Sequence, residues 1–208
     1  MNLVNLVYTN SRFEGLTTTI PQTRTIIDGL GVDGVSVDDI NVIVQLKRGW
    51  QYIINEDSPV SLKIEQNINK IVAHDDSLDP GNFRNGSGFV ATMAGDFIPP
   101  DVDELKERNF LQELLSDNTK SVTEKAIELM YHNMRNQILW DGNKRTATLI
   151  ANKYMIDHGA GLINIPVDKW SVWNQLISEY YHSNDMDELK KWTYDVGIHG
   201  TKIDKKRG

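Results

Sequence analysis

The sequence holds no cysteine, which excludes disulfide bridges and thiolate metal sites. Positive charge is scarce as well: 22 Lys and Arg against 29 Asp and Glu leave 22 − 29 = −7. An acidic surface without basic stripes argues against nucleic-acid binding, which draws its affinity from cationic contacts to phosphates. Long apolar runs are missing, and none nears the ~20 residues that cross a bilayer. No Lys or Arg precedes Arg12 and no sustained apolar run stands near the start, so neither a secretory leader nor membrane attachment is expected. These absences predict a soluble, cytoplasmic protein. At 208 residues and 39% hydrophobic, the chain can still bury a substantial core as one domain with a small helical extension.

What is present is largely helical periodicity, arranged around Trp140-Asp141-Gly142-Asn143-Lys144-Arg145-Thr146-Ala147. Upstream, Ser121-Val122-Thr123-Glu124 reads as a capping box, followed by Ala126, Ile127, Met130 and Met134 at helical spacing. Downstream, Ala147, Ile150, Ala151, Tyr154 and Met155 form a second apolar face, closed by His158-Gly159. Between the two, Gly142 permits a tight bend and Asp141 is a candidate N-cap. The backbone N–H groups of Gly142, Asn143 and Lys144 would then point outward at a helix N-terminus, an arrangement that suits phosphate. Arg145 could reach a second phosphate, and Asp141 could hold the divalent ion that accompanies nucleotides. The plainer alternative is ordinary turn-and-cap chemistry with solvated Lys144 and Arg145.

The stretch Asp141-Gly142-Asn143-Lys144-Arg145-Thr146-Ala147 resembles the core of the Fic/Doc (Fido) family, whose pattern is His-x-Phe-x-Asp/Glu-Gly-Asn-Gly/Lys-Arg. The resemblance implies an all-α, Fic-fold helical bundle with a small β-hairpin flap. It implies ATP and Mg²⁺ at the site, nucleotide contacts from Gly142, Asn143, Lys144 and Arg145, and a metal ligand in Asp141. Most members transfer AMP from ATP to a protein hydroxyl; Doc-type toxins, which also carry Lys after the Asn, transfer phosphate. Gln137 stands where the family has its catalytic His, Leu139 where it has Phe, and Thr148 where AMP-transferring members have a second Arg. An amide cannot accept a proton near neutral pH, and losing a general base commonly costs ~100- to 10,000-fold in rate. His132, about 140° around the same helix from Gln137, is badly placed to substitute. Three readings therefore stay open: altered AMP or phosphate transfer, an inactive member acting by nucleotide or partner binding, or a helical interaction protein that binds a peptide at the flap and no nucleotide.

Other segments extend the resemblance. Asn10-Ser11-Arg12-Phe13-Glu14-Gly15 is similar to the family's N-terminal inhibitory motif, in which the Glu enters the nucleotide site and pairs with the second Arg. With Thr148 there instead, Glu14 would need another partner, Arg145 being the candidate. Residues 1–57 read as regulatory helices, including one from Thr18 or Thr19 and a long one from Asp38 or Asp39. Residues 58–198 read as the Fic-like core, and 199–208 as a basic tail. A helix is expected over 58–73, with His74-Asp75-Asp76 at its end, and another from Asp101 or Asp103 with Leu105, Phe110, Leu111, Leu114 and Leu115 as core. Two short β-like runs, Phe89–Met93 and Asp96–Ile98, predict a hairpin across Ala94-Gly95. An isolated hairpin is marginal on its own. That favours a flap in which Val90, Ala91, Thr92 and Met93 bind a target protein segment by strand addition. The sequence leaves a homo-oligomer open.

Overall fold

In the computed structural model, which describes residues 2–200, nine α-helices enclose one core and two small antiparallel ribbons sit at its margin. The N-terminal helices are α1 (Leu3–Asn10), continued by a 3₁₀ turn over Ser11–Glu14, then α2 (Ile20–Ile27) and α3 (Val37–Asn55). Gly15 ends the 3₁₀ turn at φ 73°, a left-handed conformation that glycine adopts without steric cost. Thr19 caps α2 in a reciprocal capping box with Gln22, and Ser36, rather than Asp38 or Asp39, caps α3.

Next come α4 (Leu62–Val72), the hairpin strands β1 (Val90–Thr92) and β2 (Gly95–Phe97), and α5 (Glu104–Ser116). The hairpin has the register Val90–Phe97, Ala91–Asp96, Thr92–Gly95. It is tighter than the sequence suggested, because Met93-Ala94 form the turn and Gly95 already pairs. Asp103 caps α5, but Leu105 is 65% exposed rather than in the core. It sits in the first turn, and the buried stripe of α5 runs through Glu107, Leu111 and Leu114.

The chain closes with α6 (Val122–Asn136), α7 (Asn143–Asp157), β3 (Leu162–Ile163), α8 (Trp170–Ser183), α9 (Asp187–Gly197) and β4 (Ile198–His199). The short β3–β4 pair had no period-2 signal of its own; its inner partner is Asn152 of α7, whose side chain exchanges two hydrogen bonds with Ile163. The axis of the molecule is α7, packed against α3, α4 and α6. From Asn143 to Met155 every residue except Lys144 is buried. The sequence indicates one apolar face, yet a helix wrapped on all sides must also bury polar residues, each with a partner. Thr146 receives a hydrogen bond from Asn69, and Lys153 pairs with Asp157 at 2.6 Å. The basic tail expected beyond residue 200 lies outside the described residues. No helix among the described residues is long and apolar enough to cross a membrane.

Candidate nucleotide site

The loop between α6 and α7 is built by side chains that bond its backbone. α6 ends when Gln137 turns left-handed at φ 48°, ψ 51°. Leu139 N–H donates to Asn143 Oδ1 at 3.0 Å, and Asn143 Nδ2 returns a bond to Leu139 O at 2.9 Å. The Asn143 side chain is thus a clamp on its own loop, with its amide turned inward. Gly142, at φ 66°, and not Asp141, is the N-cap of α7. A Cβ there would come within 2.7 Å of the Ala73 Cβ, so a close approach to α4 as well as backbone conformation requires glycine. Asp141, about half exposed, instead accepts from the Gly142 N–H at 2.5 Å.

The first α7 amide to find a helical acceptor is Thr146 N–H, on Gly142 O at 2.8 Å. The N–H groups of Asn143, Lys144 and Arg145 have no backbone acceptor among the described residues, as expected for the positive end of a helix. Burial holds the Lys144 ammonium below the usual lysine range, opposed by the Glu14 charge.

Arg145 is completely buried. Its Nη1 donates to Val72 O and lies 2.9 Å from Asp76 Oδ2. Its Nε is 2.7 Å from Glu14 Oε1, delivered by the 3₁₀ turn after α1, and its Nη2 is 4.0 Å from Asp141 Oδ1. The Glu14 carboxylate is close but out of line with the N–H. Nε and Nη2 therefore have no hydrogen-bond acceptor among the described residues, and the contact with Glu14 is an ion pair by distance alone. Burial pushes the Glu14 carboxyl above its ordinary range despite the Arg145 charge, and Asp141 and Asp76 push the same way.

Sequence reasoning missed two residues of this site. Asn69, wholly buried on α4, donates to Asp141 O (2.8 Å) and Thr146 Oγ1 (3.0 Å) and accepts from Gly81 N–H (2.8 Å). It fixes the loop and the Gly81–Arg84 segment in one step. Asp76 is the other; its neighbours His74 and Asp75 pair with each other at 2.7 Å on the surface instead of forming a site with it. Neither residue carries a local signal, since each acts across large sequence separations.

Gln137 Nε2 donates to Met134 O at 2.7 Å, while the Gln137 backbone carbonyl accepts from Arg84 Nε at 3.0 Å. His132 faces away, bonded to Glu107 at 2.7 Å and stacked on Phe110. Thr148 donates to Lys144 O and borders a cavity of about 10 Å³, shared with Thr9, Asn10, Asn164 and Trp173, which is room for one water. Two larger clefts of about 380 and 390 Å³ lie between α6 and α9 and beside Arg48 and His74; neither reaches the start of α7.

The hairpin carrying Val90, Ala91, Thr92 and Met93 is tied at both ends. Arg84, buried, reaches Gln137 O, Gly86 O and Pro100 O, and Arg84 N–H donates to Ile138 O at 2.9 Å. At the tip, Ala94 N–H donates to Ser178 Oγ, and Thr92 Oγ1 meets His182 Nε2. Phe97 is buried against Tyr181 beneath the Arg135 guanidinium. As a two-stranded ribbon it keeps an unpaired outer edge, with Met93 74% exposed.

Residues 59–155 match the model of the Fic/DOC family. No curated protein matches the chain. Several solved structures share its fold, three of them as follows. A Fic-domain-containing signalling protein from Bacteroides thetaiotaomicron is 19% identical with a TM-score of 0.78, over 90% of this chain and 75% of that one. A portion of Fic-1 from C. elegans is 19% identical with a TM-score of 0.77, over 92% and 59%. A Fic family protein from Desulfovibrio desulfuricans is 14% identical with a TM-score of 0.78, over 93% and 61%. The chain thus spans three quarters of the first and about three fifths of the other two. On the family match and the shared fold together, this chain carries a Fic/DOC family domain at residues 59–155.

Proposed function

We propose that the chain binds ATP with Mg²⁺ at the Asp141–Arg145 loop and that Glu14 gates this site. One observation carries the reading: a fully buried Arg145 whose Nε and Nη2 lack in-line acceptors among the described residues, beside three α7 amides that also lack a backbone acceptor there, with the Glu14 carboxylate set against Nε. Donors buried without acceptors are costly, and an oxyanion would satisfy them. Glu14 Oε1 stands at that position, 2.7 Å from Nε. Asn143, Lys144 and Arg145 would present backbone donors to phosphate, and the Asn143 side chain holds the loop's shape; the Gly142 N–H, expected from the sequence to point outward as well, is instead taken by Asp141 Oδ1.

The residues fit the metal as well. Mg²⁺ is commonly held by one or two carboxylates, with phosphate and water oxygens completing its shell. Asp141, half exposed beside the loop, is one such group. The ion would neutralise phosphate charge there; this chain's contribution is to orient the nucleotide through the loop and Arg145.

The reaction such a site would serve is transfer of AMP or phosphate to the hydroxyl of a protein docked on the hairpin edge. Positioning and electrostatics supply most of phosphoryl-transfer catalysis. Gln137 favours a second reading, binding of nucleotide and partner without turnover, because its amide has no usable pKa and its Nε2 is engaged by Met134 O.

Calorimetry of Mg-ATP with wild type, Glu14→Gly and Asn143→Ala tests the proposal, and a labelled-ATP transfer assay separates the two readings. Binding is expected to be strongest in Glu14→Gly, weaker in wild type and absent in Asn143→Ala, whose loop loses its clamp. If none of the three binds, the nucleotide reading falls and the hairpin edge remains as a protein-binding surface.

A further inference from the structure

We infer that Asp76 is a positioning residue of this site, holding Arg145 from behind so that its Nε–Nη2 edge faces the incoming anion. The inference rests on the proposed reading of the loop as a phosphate site. The hydrogen bond that holds the Arg145 guanidinium runs from Nη1 to Val72 O at the end of α4, and Asp76 Oδ2 forms an ion pair with the same nitrogen at 2.9 Å. A guanidinium is planar, so fixing Nη1 fixes where the opposite edge points. That edge carries Nε–H and one Nη2–H in parallel, the fork that takes a phosphate or carboxylate bidentately. Both of its nitrogens are buried and without an in-line acceptor among the described residues. Glu14 reaches one at 2.7 Å, and Asp141 stands 4.0 Å from the other. Asp76 therefore does not compete for the receiving edge; it contacts the other side. Its side chain is 36% exposed, so replacing it opens no core cavity.

The test is Mg-ATP affinity by calorimetry in the Glu14→Gly background. Asp76→Ala is expected to weaken binding by about tenfold or more, as a loosened fork loses its bidentate geometry. Asp76→Asn, which keeps an oxygen acceptor at the same reach, is expected to recover most of that loss. An unchanged affinity in Asp76→Ala overturns the inference. Tighter binding in both variants also overturns it, and makes Asp76 a competing carboxylate. A second readout needs no nucleotide: the ¹H–¹⁵N signal of the Arg145 Nε–H. It is expected to be sharp in Glu14→Gly and with Asp76→Asn, and broadened by exchange with Asp76→Ala. If no variant binds Mg-ATP the functional reading fails, while a signal that stays sharp in Asp76→Ala refutes the positioning role on its own.

Discussion

At the residue scale, Arg145 is the centre of the site's electrostatics, with Asp76 and Glu14 within 3 Å and Asp141 at 4.0 Å. Removing one carboxylate from the receiving edge frees a buried cation for phosphate. Glu14→Gly is expected to bind Mg-ATP about tenfold more tightly than wild type or better, measured by calorimetry. The same pair predicts a pH dependence. Burial raises the Glu14 carboxyl above its ordinary value, so acidification neutralises Glu14 before an exposed carboxylate would be protonated. Neutral Glu14 no longer competes for Arg145. The affinity of wild type relative to Glu14→Gly should therefore rise as pH falls, whereas a constant ratio would contradict the gate; taking the ratio cancels the titration of ATP itself. Gln137 yields a third expectation. Its left-handed backbone is one that His tolerates several-fold more readily than most residues. Glu14→Gly with Gln137→His is expected to show transfer from labelled ATP ~100-fold or more above Glu14→Gly alone.

At the scale of elements, the start of α7 is held by its neighbour α4 through Asn69, Ala73 and Val72. Asn69→Ala strands Gly81 N–H and Asp141 O, and each buried group left unpaired costs about 1–3 kcal/mol. The expected result is a lower melting temperature together with faster amide exchange at both Gly81 and Thr146, although the two are distant in sequence. How legible these elements were follows from what made them. The helices could be read because caps such as Thr19, Asp103 and Ser121 and apolar residues at helical spacing are local signals. The hairpin could be read because Gly95 interrupts two β-prone runs. The N-cap could not: Asp141 is the better capping residue in isolation, and Gly142 takes the position because Ala73, just past the end of α4, leaves no room for a side chain. Asp76 and Asn69 were invisible for a related reason. Nothing adjacent to them in sequence announces a partner on α7, whereas the motif residues 141–147 are contiguous and could be matched as a string.

At the scale of the molecule, burying polar groups between helices leaves a titration that stability should report. Glu65 on α4 is fully buried, accepts from Asn133 of α6, and is pushed up to about 8 by burial, with the Glu107 charge adding to it. Unfolded, it titrates near 4.5. Between those values the folded state binds the extra proton, so this group's contribution favours folding most at low pH and is lost as pH rises through about 8. Glu65→Gln keeps an acceptor for Asn133 and removes the titration. It is expected to flatten the stability–pH profile and to exceed wild type by about 1 kcal/mol or more at alkaline pH, from thermal melts across that window. A variant that tracks wild type at every pH would show that Glu65 is relieved in some other way.

The meeting of Glu14 with Arg145 carries a consequence for how this protein can change over generations. If Glu14 gates the site as proposed, one cation serves both the restraint and the thing restrained, so a substitution at position 145 removes the two together. Release without loss of the site can begin only from the N-terminal side, at Glu14 or in the turn that delivers it. Descendants of this chain can thus become silent by many routes, but unrestrained by very few.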